Sequence, residues 1–148
     1  MGTITLLSIS DGGPSITTAN YFLEKSVGQG TWALVVAAGT FNGSYYGNAN
    51  ANGDNVSFYK YFVGGKYSFI CNFHKSTNFG IIDVYIDSAI IMTADTYNGS
   101  SVLTTNYNTT NIIIPEGLRV LKFQVNGKND LSSGYYARWS SFSFERIG

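Results

Sequence analysis

Cys71 and His74 are the only cysteine and the only histidine of this 148-residue chain, and they stand three positions apart in KYSFICNFH (66–74). A thiol beside an imidazole is the pair that a cysteine nucleophile and its general base require. It is equally half of a tetrahedral zinc site. The element carrying the two residues decides between these chemistries. The segment is aromatic and β-branched, bounded by Gly64-Gly65 on one side and by the polar KSTNFG on the other, which predicts a strand. On a strand, successive side chains alternate faces. Tyr67, Phe69, Cys71 and Phe73 then share one face, and Ser68, Ile70, Asn72 and His74 the other. An odd offset sends thiol and ring to opposite sides. Cys71 reads as a small buried hydrophobe among aromatics, and His74 as a loop-anchoring or surface histidine at the strand's end.

The other chemically capable groups are as scattered. Asp83 and Asp87 share a strand face, but four residues along a strand span about 13 Å, too far for a glycosidase carboxylate pair. Asp87 is expected to satisfy turn amides. Asp11-Gly12-Gly13 and Gly53-Asp54-Asn55 are oxygen-rich and could take a structural calcium, yet neither has the spacing of a known calcium loop, and both read as turns. No GxSxG, HExxH, phosphate-loop or dinucleotide-binding motif occurs. These observations predict a non-enzyme with no cofactor and no metal. A hydrolase using Asp83, Asp95 or Glu116 is the catalytic alternative.

Charged residues are only 12% of the chain, about half the usual share, and nine basic residues cancel nine acidic ones. Without a basic patch, nucleic acid is not an expected partner. A single cysteine allows no disulfide within the chain. No apolar run approaches the ~18 residues of a membrane span. The opening MGTITLLSIS has neither the basic start nor the apolar centre of a secretory signal, so synthesis in the host cytoplasm is expected. The surface must therefore be built from Asn, Ser, Thr, Gly and Tyr. Tyr45, Tyr46, Tyr97, Tyr107 and Tyr135 gather near turns, and Asn129 lies in the turn-like NGKND. Flat rings beside amides suit sugar recognition, and suit a protein interface equally. These six residues are the candidate ligand or interface set. A surface with no net charge also favours self-association, which a symmetric oligomer would use.

Short segments of strand character recur along the chain, at 3–9, 17–23, 31–38, 56–63, 66–74, 80–87, 89–94, 101–105, 111–114, 118–126 and 135–146. Such a series predicts an all-β protein, a jelly-roll sandwich of about 8–11 antiparallel strands forming a single domain over 1–148. The one helix alternative is 18–26. Residues 1–16 are expected to supply a strand or arm used in assembly. Gly64-Gly65 is expected to supply the positive φ of a two-residue hairpin. Asp87-Ser88 reads as a second hairpin, and Pro115-Glu116-Gly117 as a turn. Residues 42–55 read as a mobile loop carrying Tyr45 and Tyr46.

Over 58–148 an ordered series of phrases resembles a jelly-roll module of bacteriophage virion and tail-fibre proteins, and more distantly carbohydrate-binding modules. The phrases are FVGGKYSFICNFHKSTNFGIIDVYIDS, IIIPEGLRVLKFQVNGKN and SSGYYARWSSFSFERIG; the most specific part is Asn126-Gly127-Lys128-Asn129 followed by Ser132-Ser133-Gly134-Tyr135. Leu118-Arg119 stands where that pattern usually has histidine, and Ser88 where it has glycine. The resemblance implies a non-enzymatic structural protein of the virion, a capsid decoration, head fibre or tail-fibre tip. It would assemble as a homotrimer, with loops 42–55, 96–110 and 127–134 left outward to meet other virion proteins, a neighbouring copy or a host surface glycan. A stand-alone carbohydrate-binding module is the alternative.

Overall fold

A computed structural model of the chain describes residues 25–40, 43–48 and 51–148, Asn48 by its backbone alone. These residues form ten strands and no helix: β1 (Lys25–Gln29), β2 (Trp32–Val36), β3 (Ser44–Asn48), β4 (Asn55–Phe62), β5 (Gly65–Lys75), β6 (Ile81–Ile86), β7 (Ala89–Asp95), β8 (Val102–Ile114), β9 (Gly117–Val125) and β10 (Arg138–Arg146). One sheet has the order β1-β4-β9-β6-β7 and the other β2-β3-β10-β5-β8, with antiparallel neighbours throughout. The all-β sandwich expected from sequence is the fold found.

Alternation explains which faces meet. Val56, Phe58 and Phe62 of β4, Ile82, Val84 and Ile86 of β6, and Leu121, Phe123 and Val125 of β9 turn inward from the first sheet. Tyr67, Phe69, Cys71 and Phe73 of β5 meet them from the second, with Trp139, Phe142 and Phe144 of β10. Phe123 and Trp139 stack across the sandwich, ring centres 4.0 Å apart and planes 8° from parallel. Each such side chain removed from water contributes about 1.5–3 kcal/mol, and the ring pairing adds to that.

Cys71 is fully buried in this core, as its strand face required. His74 lies on the other face, yet at 6% exposure it is buried rather than on the surface. A loop covers it: the Phe79 ring centre stands 5.0 Å away, and Ser101 Oγ lies 3.1 Å from Nε2. Of the two readings, anchoring a loop is the one observed.

Several expectations change. Segments 101–105 and 111–114 belong to one 13-residue strand, β8. Asn106 and Asn108 keep the outward half of its alternation, opposite Asn72 and Ile70 of β5, and a bulge at Asn111 (φ 60°) absorbs the irregularity. Loop 42–55 contains β3, held between β2 and β10. Lys25 and Ser26, the end of the helix alternative, begin β1. Segments 3–9 and 17–23, the arm 1–16 and Asp11-Gly12-Gly13 fall outside the described residues. Gly64 and Gly65 have no positive φ. Their need is space, because a Cβ on Gly65 would sit 2.5 Å from Arg146 Nε and 2.8 Å from the Gly148 carbonyl oxygen. Asp87 does hold the β6–β7 turn with φ 54°, and its Oδ1 accepts the Val120 amide at 3.1 Å.

Lys60 turns inward with the β4 apolar residues, 2% exposed, its Nζ 5.0 Å from the Phe62 ring centre. Burial lowers its pKa to about 8. A lysine whose folded pKa lies below its unfolded one destabilises the fold wherever the folded state must carry the charge. That cost is complete below about pH 8 and fades as pH rises toward the unfolded value of about 10.5. The Lys60 contribution should therefore climb between pH 8 and 10, by up to about 3 kcal/mol, while the buried Cys71 thiol, its pKa pushed up by burial, takes stability away over the same range. Denaturant titrations at pH 7, 8.5 and 10 should show the stability of the native chain rising relative to that of Lys60→Met as pH increases.

Candidate functional site

The strands run so that one end of the sandwich gathers loops 76–80, 96–101 and 126–137, each leading from one sheet to the other. Backbone hydrogen bonds stitch these loops together. Ser76 N donates to Thr96 O, Asn98 N to Ser76 O, and Tyr136 N to Asn78 O, at 3.1 Å each. Ser132 is buried beneath them, its hydroxyl donating to Phe79 O at 2.7 Å. The result is a rim of irregular backbone with few unsatisfied groups, a rigid base for side chains.

Asp95, the last residue of β7, organises this rim. Its Oδ1 accepts the Tyr97 amide at 3.0 Å, and its Oδ2 accepts Asn129 Nδ2 at 2.8 Å. Its carbonyl accepts the Tyr107 hydroxyl from β8 at 2.9 Å. Asn129 Oδ1 in turn accepts the Leu131 amide at 3.0 Å, so the amide group is fixed in orientation. Tyr97 is half-buried, and its ring makes no contact with another aromatic ring among the described residues. A half-buried ring beside a fixed carboxylate and amide can stack on an apolar surface and exchange hydrogen bonds with hydroxyls.

The structure thus brings together three of the six candidate residues, Tyr97, Tyr107 and Asn129, through Asp95. Tyr107 is the structural member, its ring edge-on to Phe73 with centres 5.4 Å apart. Tyr135 lies on the same loop as Asn129, partly packed on the core, with Lys128 Nζ 5.7 Å from its ring centre. Tyr45 sits elsewhere, on the outer face of β3 beside His74 and Arg138. Tyr46 requires a correction. At 1% exposure it is core, stacked on Trp32 and packed on Trp139 with ring centres 6.1 and 5.5 Å away, and burial drives its pKa up. The period-2 pattern of β3 turns alternate residues inward, so only one of Tyr45 and Tyr46 can face solvent.

The proposed hydrolytic acids are not assembled. Asp83 is buried, accepting Thr93 Oγ1 at 2.6 Å and Asn126 Nδ2 at 2.7 Å. Asp95 has the structural bonds above, and Glu116 lies exposed in the β8–β9 turn at the opposite end. Gly53-Asp54-Asn55 also reads structurally: Asp54 is buried, accepts Gln29 Nε2 at 3.1 Å, and lies against Gly30. Among the described residues no three His, Cys, Asp or Glu side chains cluster to hold a metal ion. A groove of about 430 Å³ opens at the far end between the β6–β7 turn and β8. Its walls include Ile90, Ile113 and Pro115 but no aromatic ring, so it offers no stacking surface.

No protein-family model matches the chain, and no curated protein does. Solved structures do. A xanthan lyase from Paenibacillus superposes with a TM-score of 0.75 at 22% identity over 94% of this chain. The chain spans only 14% of that enzyme. A family 6 carbohydrate-binding module from Clostridium cellulolyticum, in complex with xylose, gives 0.63 at 18% identity over 93% of this chain and all of its own. The fold is the jelly-roll sandwich that these structures share. The module CBM36, in complex with calcium and xylotriose, shares it with a TM-score of 0.60, at 16% identity over 90% of this chain and 100% of that one.

The two classes of tyrosine should separate by stability. Tyr46→Ala should cost about 3–5 kcal/mol, as large-to-small core changes do. Tyr97→Ala should stay within about 0.5 kcal/mol of the native value. Urea unfolding of the two variants checks the contrast.

Proposed function

We propose that this chain is a non-catalytic carbohydrate-binding module whose sugar site is the rim at Asp95, Tyr97 and Asn129. The observation that carries the reading is the half-buried Tyr97 ring, free of aromatic partners, beside a carboxylate and an amide already fixed by each other. A pyranose presents an apolar face and a fringe of hydroxyls. Tyr97 suits the face; Asp95 and the remaining donor and acceptor of Asn129 suit the fringe. Because the polar groups are oriented before binding, little ordering cost falls on the protein. Neighbours that share the fold bind xylose and xylotriose, which supports a sugar as ligand and makes xylo-oligosaccharides the first panel to try.

The virion reading rests on the phrase resemblance, the uncharged surface and the lack of a signal, disulfide or catalytic set in the sequence. None of the solved structures described above is a virion protein. A trimer and a capsid or fibre location therefore have no support from the structure, and the sugar-binding module is preferred.

Such a site works through one stacking ring and a few hydrogen bonds, which corresponds to dissociation constants from about micromolar to millimolar. Calorimetry against xylo-oligosaccharides and soluble plant and bacterial polysaccharides should find a ligand for the native chain. Tyr97→Ala should weaken that binding at least about tenfold, the loss of roughly 1.4 kcal/mol of stacking. Undiminished binding by Tyr97→Ala would remove this residue from the site, and a native chain that binds no glycan would remove the function.

A further inference from the structure

One cation near the rim is held among three aromatic rings. Arg138 opens β10, and its stem passes over Gly47 of β3, where an added Cβ would lie 2.8 Å from Arg138 Cγ. Its guanidinium carbon stands 4.7 Å from the Tyr45 ring centre, 5.3 Å from Phe79 and 5.4 Å from Tyr136. Three rings thus fix the position of the group, while its hydrogen-bond donors find no acceptor side chain or carbonyl among the described residues. The other two arginines are tied down. Arg119 donates to Pro115 O at 3.1 Å and pairs with Asp87 at 3.4 Å, and Arg146 donates to Gly64 O at 2.8 Å.

A second unpartnered group lies at the same place. His74 packs against Tyr45 and Phe79, is 6% exposed, and its Nδ1 has no partner among the described residues. Burial and the Arg138 charge both lower its pKa, so the guanidinium is the cation here. Alongside, a row of uncharged polar side chains runs from β10 through β5 to β8, with Ser140 and Asn72 buried and Asn106 exposed. Ser140 Oγ donates to Asn72 Oδ1 at 2.7 Å, and Asn72 Nδ2 to Asn106 Oδ1 at 2.8 Å.

We propose that Arg138 reads the carboxylate of an acidic sugar, a uronic acid residue, lying against Tyr45 and Tyr136 on the outer face of β3 and β10. This rests on the sugar-binding reading of the neighbouring rim. A guanidinium matches a carboxylate with two parallel hydrogen bonds. Rings that pre-position it lower the ordering cost of binding. An acidic peptide would also satisfy the charge, but the partly exposed Tyr45 and Tyr136 rings suit the apolar face of a pyranose.

The test compares a linear xylo-oligosaccharide with the same oligosaccharide bearing one glucuronic acid branch, and includes a glutamate-rich peptide as a third probe. Calorimetry is run on the native chain, R138Q and R138K, each first shown to keep its native melting transition. The native chain should bind the acidic oligosaccharide about tenfold or more tightly than the neutral one, the scale of charge-assisted hydrogen bonds. R138Q should bring the acidic ligand down to the neutral one's affinity. R138K should keep only part of the preference, because an ammonium lacks the planar fork. Equal affinity of the native chain for the two oligosaccharides, or an undiminished preference in both variants, overturns the proposal and leaves the sugar-binding reading standing. Binding of the peptide in place of the acidic sugar overturns it as well. A native chain that binds neither oligosaccharide overturns both.

Discussion

The stack of Phe123 on Trp139 is the contact on which the rest of the molecule depends. Phe123 lies in β9 between Val56 of β4 and Val84 of β6, and Trp139 in β10 between Tyr46 of β3 and Phe73 of β5. With ring centres 4.0 Å apart, the pair clamps six strands from both sheets at one point. The indole Nε1 finds no hydrogen-bond partner among the described residues, a cost of about 1–3 kcal/mol. The surrounding aromatic packing more than offsets it: Trp139 also meets Trp32 with ring centres 5.6 Å apart, and Phe142 meets Phe123 at 5.6 Å.

That clamp has a consequence for the loops. The chain leaves β9 two residues beyond Phe123 and returns as β10 one residue before Trp139. The long connection between them, with Asn129 and Tyr135 on it, is thus anchored at both ends by the same stack. Asn126 and Asn129 extend the anchoring outward, one to Asp83 and the other to Asp95. A core built to join two sheets thereby also holds a rim.

Much of this was legible in the sequence where a single periodicity governed. The alternation through β4, β5, β6 and β9 located those strands, separated Cys71 from His74, and set Phe69 and Phe73 on the same buried face as the thiol. The failures come from effects that periodicity does not encode. β3 was hidden because Ser44, Gly47 and Asn48 are turn-formers by composition, and only pairing with β2 and β10 makes SYYGN extended. Tyr46 followed it into the wrong class. Asp95 was visible as a carboxylate, but its bonds to loops ahead of it and 34 residues away depend on the fold. Arg138 gave no signal at all, since its ring partners Tyr45, Phe79 and Tyr136 come from three separated segments. Gly65 was recognised as special for the wrong reason: crowding by Arg146 and Gly148 requires it, rather than backbone angle.

The central claim is that sugar recognition belongs to the looped end of the sandwich. Amide chemical-shift mapping of the 15N-labelled chain during titration with a bound oligosaccharide tests it most directly. The account predicts that the largest shifts fall on Asp95 to Asn98 and Gly127 to Leu131, with the core amides unmoved. Shifts centred instead on the groove beside Ile90 and Ile113 at the opposite end would contradict it.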